Sequence, residues 1–219
     1  MTRYPCALAA TAVLVLLAGP LAAASPDGMQ RLTEGNQRWA SGRAAHPQQS
    51  AARRAELAQV QHPFAVIVSC ADSRVPPELI FDQGVGDLFV VRAAGEVVDA
   101  VTLGSIEFAV ANLGARLIVV LGHERCGAVD AALRGVEPPG HIGAVLSAIE
   151  PNISRAQGAT PETLDRAVRD QARAVVRQLR GAEPILAPRV RDGSLRVVGA
   201  VYDLDSGQVS LLEEPEARP

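Results

Sequence analysis

Phe64-Ala65-Val66-Ile67-Val68-Ser69-Cys70-Ala71-Asp72-Ser73-Arg74 is the stretch that decides how this chain folds. It opens as an unbroken apolar run with no polar residue on alternate positions. That pattern fits a strand buried on both faces, as in the middle of a parallel sheet. The run then stops at a cysteine, an aspartate and an arginine. The arrangement recurs 53 residues later, where Leu117-Ile118-Val119-Val120-Leu121 leads into His123-Glu124-Arg125-Cys126-Gly127. In open α/β sheets, sites form beyond the carboxyl ends of such strands.

Reading outward, strands are expected at 64–69, 87–92 and 116–121, with a final pair at 195–202 and 208–212 joined by Asp205-Ser206-Gly207 as a hairpin turn. Between them the spacing predicts helices over 30–41, 51–59, 100–112, 127–133, 142–149 and 161–180, and a short helix opened by Pro76-Pro77. The longest puts Leu164, Val168, Ala172, Val175 and Leu179 on one face. Strands alternating with helices imply an α/β fold, with a mainly parallel central sheet, flanking helices and an antiparallel edge strand.

The chain has 219 residues, 48% hydrophobic and 21% charged, which suits one globular unit with an ample core. Aromatics are only 3%, so Ala, Val, Leu and Ile must fill that core. All basic residues are arginine and the net charge is −3, unlike the basic footprint of a nucleic-acid binder. Residues 1–24 read as a cleavable signal peptide: Arg3 in the n-region, an apolar Ala7–Gly19 core and Ala22-Ala23-Ala24 before Ser25. The apolar core is short for a membrane span, so no stable anchor is expected. The remaining domain is 25–219, exported to a periplasmic or extracellular compartment.

In that part of the chain Cys70 and Cys126 are the only cysteines. A lone pair in an exported protein is most often a disulfide. A disulfide, however, leaves His123, Asp72 and Arg74 unexplained. Two thiolates and an imidazole can hold Zn2+ and leave the fourth corner open, the catalytic form of a zinc site. Asp72 is then a candidate acceptor for a proton of zinc-bound water, clamped by paired N–H donors of Arg74. Gly127 would allow the backbone to approach a ligand closely. Glu124 and Arg125 are expected to face solvent or a neighbouring subunit.

Cys70-x-Asp72-Ser73-Arg74 and His123-x-x-Cys126-Gly127 resemble the signature of β-class carbonic anhydrases, as do Gly86-Asp87-Leu88-Phe89-Val90-Val91-Arg92 and Gly199-Ala200-Val201-Tyr202-Asp203. The resemblance extends over residues 29–212. It implies reversible hydration of CO2 to bicarbonate by a zinc hydroxide, with one zinc per chain and Asp72–Arg74 as the orienting dyad. At low pH it implies Asp72 as a fourth metal ligand that closes the site. It also implies a homodimer or tetramer with the active site at a subunit interface. There Gln61 contacts bicarbonate from the other subunit, and Phe89 and Phe108 line the pocket. A six-residue strand at roughly 3.3 Å per residue keeps Gln61 about 20 Å from Cys70 in its own chain.

The chain departs from the family at one four-residue stretch and three single positions, one of them Phe108, where many members have tyrosine. Ala93-Ala94-Gly95-Glu96 stands where many members read Asn-x-Ala-Asn, which bears on substrate access or the interface. Asn112 stands where some carry a histidine, and Ile67 where the bicarbonate-gated subgroup carries tryptophan. Two other readings stay open: hydrolysis of carbonyl sulfide or carbon disulfide on the same fold, and a non-catalytic zinc- or bicarbonate-binding protein.

Overall fold

The computed structural model describes residues 27–154 and 158–213, so the leader assigned to residues 1–24 lies outside the described residues. Among the described residues, five strands form one sheet: β1 (Ala65–Ser69), β2 (Leu88–Arg92), β3 (Leu117–His123), β4 (Arg196–Tyr202) and β5 (Val209–Leu211). Their order is β2-β1-β3-β4-β5. β1 to β4 run parallel and β5 pairs antiparallel with β4. Around the sheet lie α1 (Gly28–Ala40), α2 (Ala51–Leu57), α3 (Pro77–Ile80), α4 (Ala100–Asn112), α5 (Gly127–Arg134), α6 (Ile142–Ile149), α7 (Pro161–Arg180) and α8 (Leu186–Arg191).

The unbroken apolar runs have the cause expected of them. β1 and β3 are buried along their whole length. Alternate side chains enter opposite layers. Val66, Val68, Ile118 and Val120 pack with Ile106 of α4 and Val175 and Leu179 of α7. Ala65, Ile67, Val119 and Leu121 pack with Leu32 of α1 and Ile80 and Phe81 at α3. A side chain the size of Ile67, fully buried, contributes about 1.5–3 kcal/mol. α1 crosses α3 closely at Gly35, where a Cβ would stand 1.8 Å from the Phe81 carbonyl oxygen.

Helix starts follow local chemistry. Asp99 accepts from Thr102 N–H at 2.8 Å to open α4, and Thr160 and Thr163 cap α7 reciprocally, with Pro161 in its first turn. Several boundaries shift by one or two residues, and two departures have a structural cause. β3 continues two residues further, to His123, because β4 pairs with it as far as Tyr202. α8 is six residues long and contains Pro188, too short for a periodic pattern; burial of Leu186 and Ala187 holds it.

The register places the site. Ser69 lies beside Leu121 on one side and Arg92 on the other. The residue after β1, the end of β3 and the end of β2 therefore meet at one edge of the sheet.

Candidate metal centre

Cys70 follows β1, His123 ends β3 and Cys126 is the N-cap residue of α5. All three are buried. Their ligand atoms lie within 4.8 Å of one another, and both cysteines are free thiols, not a disulfide. The two Sγ atoms are 4.0 Å apart. Tetrahedral zinc with Zn–S bonds of about 2.3 Å needs sulfurs about 3.8 Å apart, so the pair fits a shared ion.

The histidine is oriented by its own backbone. His123 Nδ1 stands 2.8 Å from the Glu124 carbonyl oxygen. That oxygen can only accept, so Nδ1 carries the proton and Nε2 presents a lone pair. Nε2 is buried and has no hydrogen-bond partner. A buried polar atom without a partner is costly in a protein interior; a metal ion would satisfy this one.

The thiols divide one proton. Cys70 is lowered, chiefly by the hydrogen bond with Cys126 and also by the Gly95 N–H, against the opposing effect of burial. Cys126 is raised by its hydrogen bond with Cys70 and by burial. A cation between the two sulfurs would replace the proton they share. Cys126 makes no side-chain cap bond on α5, so its sulfur stays free to bind a cation, and the positive helix end favours its thiolate form.

Asp72 and Arg74 form a fork beside these ligands. Arg74 Nε donates to Asp72 Oδ1 at 2.9 Å and Nη2 to Oδ2 at 2.7 Å, while the Arg74 backbone N–H adds a third bond at 2.9 Å. The guanidinium holds the Asp72 carboxyl well below the usual carboxylate range. Oδ2 reaches within 3.8 Å of His123 Nε2, so the ionised carboxylate borders the metal position. Arg74 also donates to the Arg125 carbonyl at 3.3 Å, tying the two motifs together. Arg125 faces solvent and pairs with Asp205 at 2.8 Å.

Of the residues singled out in the sequence, Cys70, Asp72, Arg74, His123, Cys126 and Gly127 gather at one sheet edge. Gly127 is the first residue of α5, exposed, with no atom within 4 Å of a would-be Cβ, so packing does not demand glycine there. Gln61, Phe89 and Phe108 are not brought to this edge. Gln61 is exposed before β1, at the far end of the sheet. Phe89 sits in β2 opposite Val66, and Phe108 is 51% exposed on α4.

Several participants were missed. Arg92 Nε donates to the Cys70 carbonyl at 2.9 Å. Ala93 to Glu96, expected to bear on access or the interface, form a turn beside the ligands in which Gly95 and Glu96 are buried, with the Gly95 N–H donating to Cys70 Sγ at 3.3 Å. Glu96 is 1% exposed, has φ +44°, and neither carboxyl oxygen has a hydrogen-bond partner. Burial holds its carboxyl well above the ordinary glutamate range. The glycine in an otherwise featureless Ala-Ala-Gly-Glu string was the only sequence signal of this turn.

The carbonic anhydrase family pattern matches residues 65–209. Carbonic anhydrase 2 of Mycobacterium tuberculosis is 45% identical over 184 residues, covering 82% of this chain and 89% of the relative. A carbonic anhydrase of Mycolicibacterium smegmatis is 41% identical over the same shares. Among solved structures, a tetrameric β-carbonic anhydrase of the ascomycete Sordaria macrospora aligns with a TM-score of 0.68 at 27% identity, covering 82% of this chain and 93% of that one.

Proposed function

The chain belongs to the β-class carbonic anhydrase family, zinc enzymes that hydrate CO2 reversibly, and we propose that Cys70, His123 and Cys126 hold one zinc ion while Asp72 and Arg74 orient the nucleophile. The observation that carries this reading is the buried, partnerless Nε2 of His123 facing two thiols 4.0 Å apart. Zinc, when bound, supplies a Lewis acid that acidifies water. Asp72, kept ionised by Arg74, serves only as an acceptor. It takes the hydrogen bond of the attacking O–H and so fixes which lone pair faces CO2. Arg74 holds that carboxylate in place, and Arg92 fixes the backbone of Cys70. If Asp72 leaves Arg74 at low pH, it becomes a fourth ligand and closes the site; structures at acid and alkaline pH test this.

Gln61, Phe89 and Phe108 act from a second subunit in this reading. Support comes from α4, whose Val101 is 78% exposed and Phe108 51%. With exposed Gly104 these residues form an outward stripe beside the open edge of β2. An apolar face of this kind calls for a partner, and two-fold pairing through it would carry the far-end residues of one chain toward the metal edge of the other. Export rests on the leader alone; mass spectrometry of protein from the native host should find Ser25 first.

Stopped-flow CO2 hydration together with metal analysis tests the whole assignment. Stoichiometric zinc and rapid hydration are expected. An active protein with a Cys70–Cys126 disulfide would overturn it.

A further inference from the structure

A glutamine far from the signature motifs reaches the metal ligands through one turn of backbone. Gln171, in the middle of α7, is 1% exposed. Its Nε2 donates to the Gly95 carbonyl oxygen at 3.0 Å, and its Oε1 accepts from Asn152 Nδ2 at 2.9 Å. Asn152 is itself tethered to the Ala148 carbonyl oxygen at 3.2 Å. The amide of Gln171 is thus held at both ends, and its orientation is fixed by those partners. On the other side of the same turn, the Gly95 N–H donates to Cys70 Sγ.

The turn carries one internal bond, from the Glu96 N–H to the Ala93 carbonyl at 3.0 Å, and a strained backbone. Gly95 and Glu96 both have positive φ, +63° and +44°, a backbone region that a non-glycine residue occupies only under constraint. A Cβ on Gly95 would lie 2.5 Å from Ile149 Cδ1, so the turn is pressed between the ligands and α6. The strand side is secured where Ala71 N–H donates to the Ala93 carbonyl and Ala93 N–H to the Ser69 carbonyl. At the Gly95 carbonyl itself, the side chain that holds the turn is Gln171.

We infer that Gln171 is a positioning residue for the metal centre: through the Gly95 peptide it aims a backbone N–H at the Cys70 thiolate and so sets that ligand's hold on zinc. This rests on the reading of Cys70 as a zinc ligand. A hydrogen bond to a ligand thiolate stabilises its charge and fixes its direction, and loss of such outer partners typically costs ~10–100-fold in metal affinity.

The test compares two glutamines of α7. Gln178 Nε2 also donates to a carbonyl of the same loop, Val98 O, at 2.9 Å, without reaching Cys70. Gln171→Met and Gln178→Met each remove one amide-to-loop bond and keep the side-chain length. The full chain is loaded with zinc for chelator-driven release and with Co(II) for the thiolate-to-metal charge-transfer band. Gln171→Met should release zinc at least about 10-fold faster and shift the Co(II) band. Gln178→Met should do neither, whatever it costs in melting temperature. Equal behaviour of the two variants overturns the inference and makes Gln171 purely structural. A wild-type Co(II) protein without the charge-transfer band overturns instead the ligand reading beneath it. Should Gln171→Met fail to fold, Asn152→Leu carries the test. It unpins the far end of the Gln171 amide and should speed zinc release several-fold; an unchanged rate and band would refute the clamp.

Discussion

Asp72→Asn separates orienting the nucleophile from holding the metal. The native carboxylate receives three N–H bonds from Arg74, at 2.7 to 2.9 Å, through both oxygens. An amide has one oxygen. If that oxygen stays on the Arg74 backbone N–H and Nε, the new NH2 replaces Oδ2, meets the Nη2 donor head-on, and turns a donor toward His123 Nε2, 3.8 Å from Oδ2 in the native chain. The group that should accept a hydrogen bond from the nucleophile then offers one. Losing a pre-aligned hydrogen bond of this kind costs about 2.7–4 kcal/mol, or ~10²–10³-fold in rate. Zinc content should not change, because no ligand atom is altered. Stopped-flow CO2 hydration with metal analysis on the same preparation reads both quantities. Wild-type turnover would return Asp72 and Arg74 to an ordinary surface ion pair. Zinc loss in step with activity would make Asp72 a ligand and not an orienting group.

Three other outcomes follow from the geometry. Cys126→Ser should lose nearly all zinc, and Gln61→Ala should keep it; mixed under subunit exchange, the two impaired chains should regain activity, and no gain would refute a shared site. Glu96→Gln should gain stability over wild type as pH rises: burial raises the native Glu96 carboxyl, so its contribution is intact below the unfolded value of about 4.3 and is lost as pH climbs toward the native value. Melting temperatures of the zinc-loaded pair should therefore converge near pH 4 and diverge toward neutrality, and a constant offset would contradict the burial argument. Gly35→Ala, whose Cβ would stand 1.8 Å from the Phe81 carbonyl oxygen, should cost at least about 2 kcal/mol in denaturant unfolding as α1 is pushed off α3; an unchanged midpoint would show that the crossing is loose.

The sequence by itself determined the strand ends and the chemistry placed on them. Phe64 to Arg74 and Leu117 to Gly127 each join an apolar run to ligand-type residues within a few positions, and a buried parallel strand delivers whatever follows it to one sheet edge. α4, α6 and α7 were legible to the residue because their signals are local: side-chain caps at Asp99 and Thr160 for α4 and α7, and for α6 an apolar segment following the Pro-Pro-Gly break. Only the tertiary structure decided the tautomer of His123, which depends on where the Glu124 carbonyl turns, and the burial of Glu96, whose side chain reads as a surface carboxylate. It alone brought Gln171 to Gly95 across 76 residues. A hydrogen bond at that separation leaves no periodicity behind, because it is made by packing α7 against the end of the sheet. The same physics left Gln61, Phe89 and Phe108 away from the metal edge: their places before β1, in β2 and on α4 are fixed within one chain, and a second chain is what would carry them to a site.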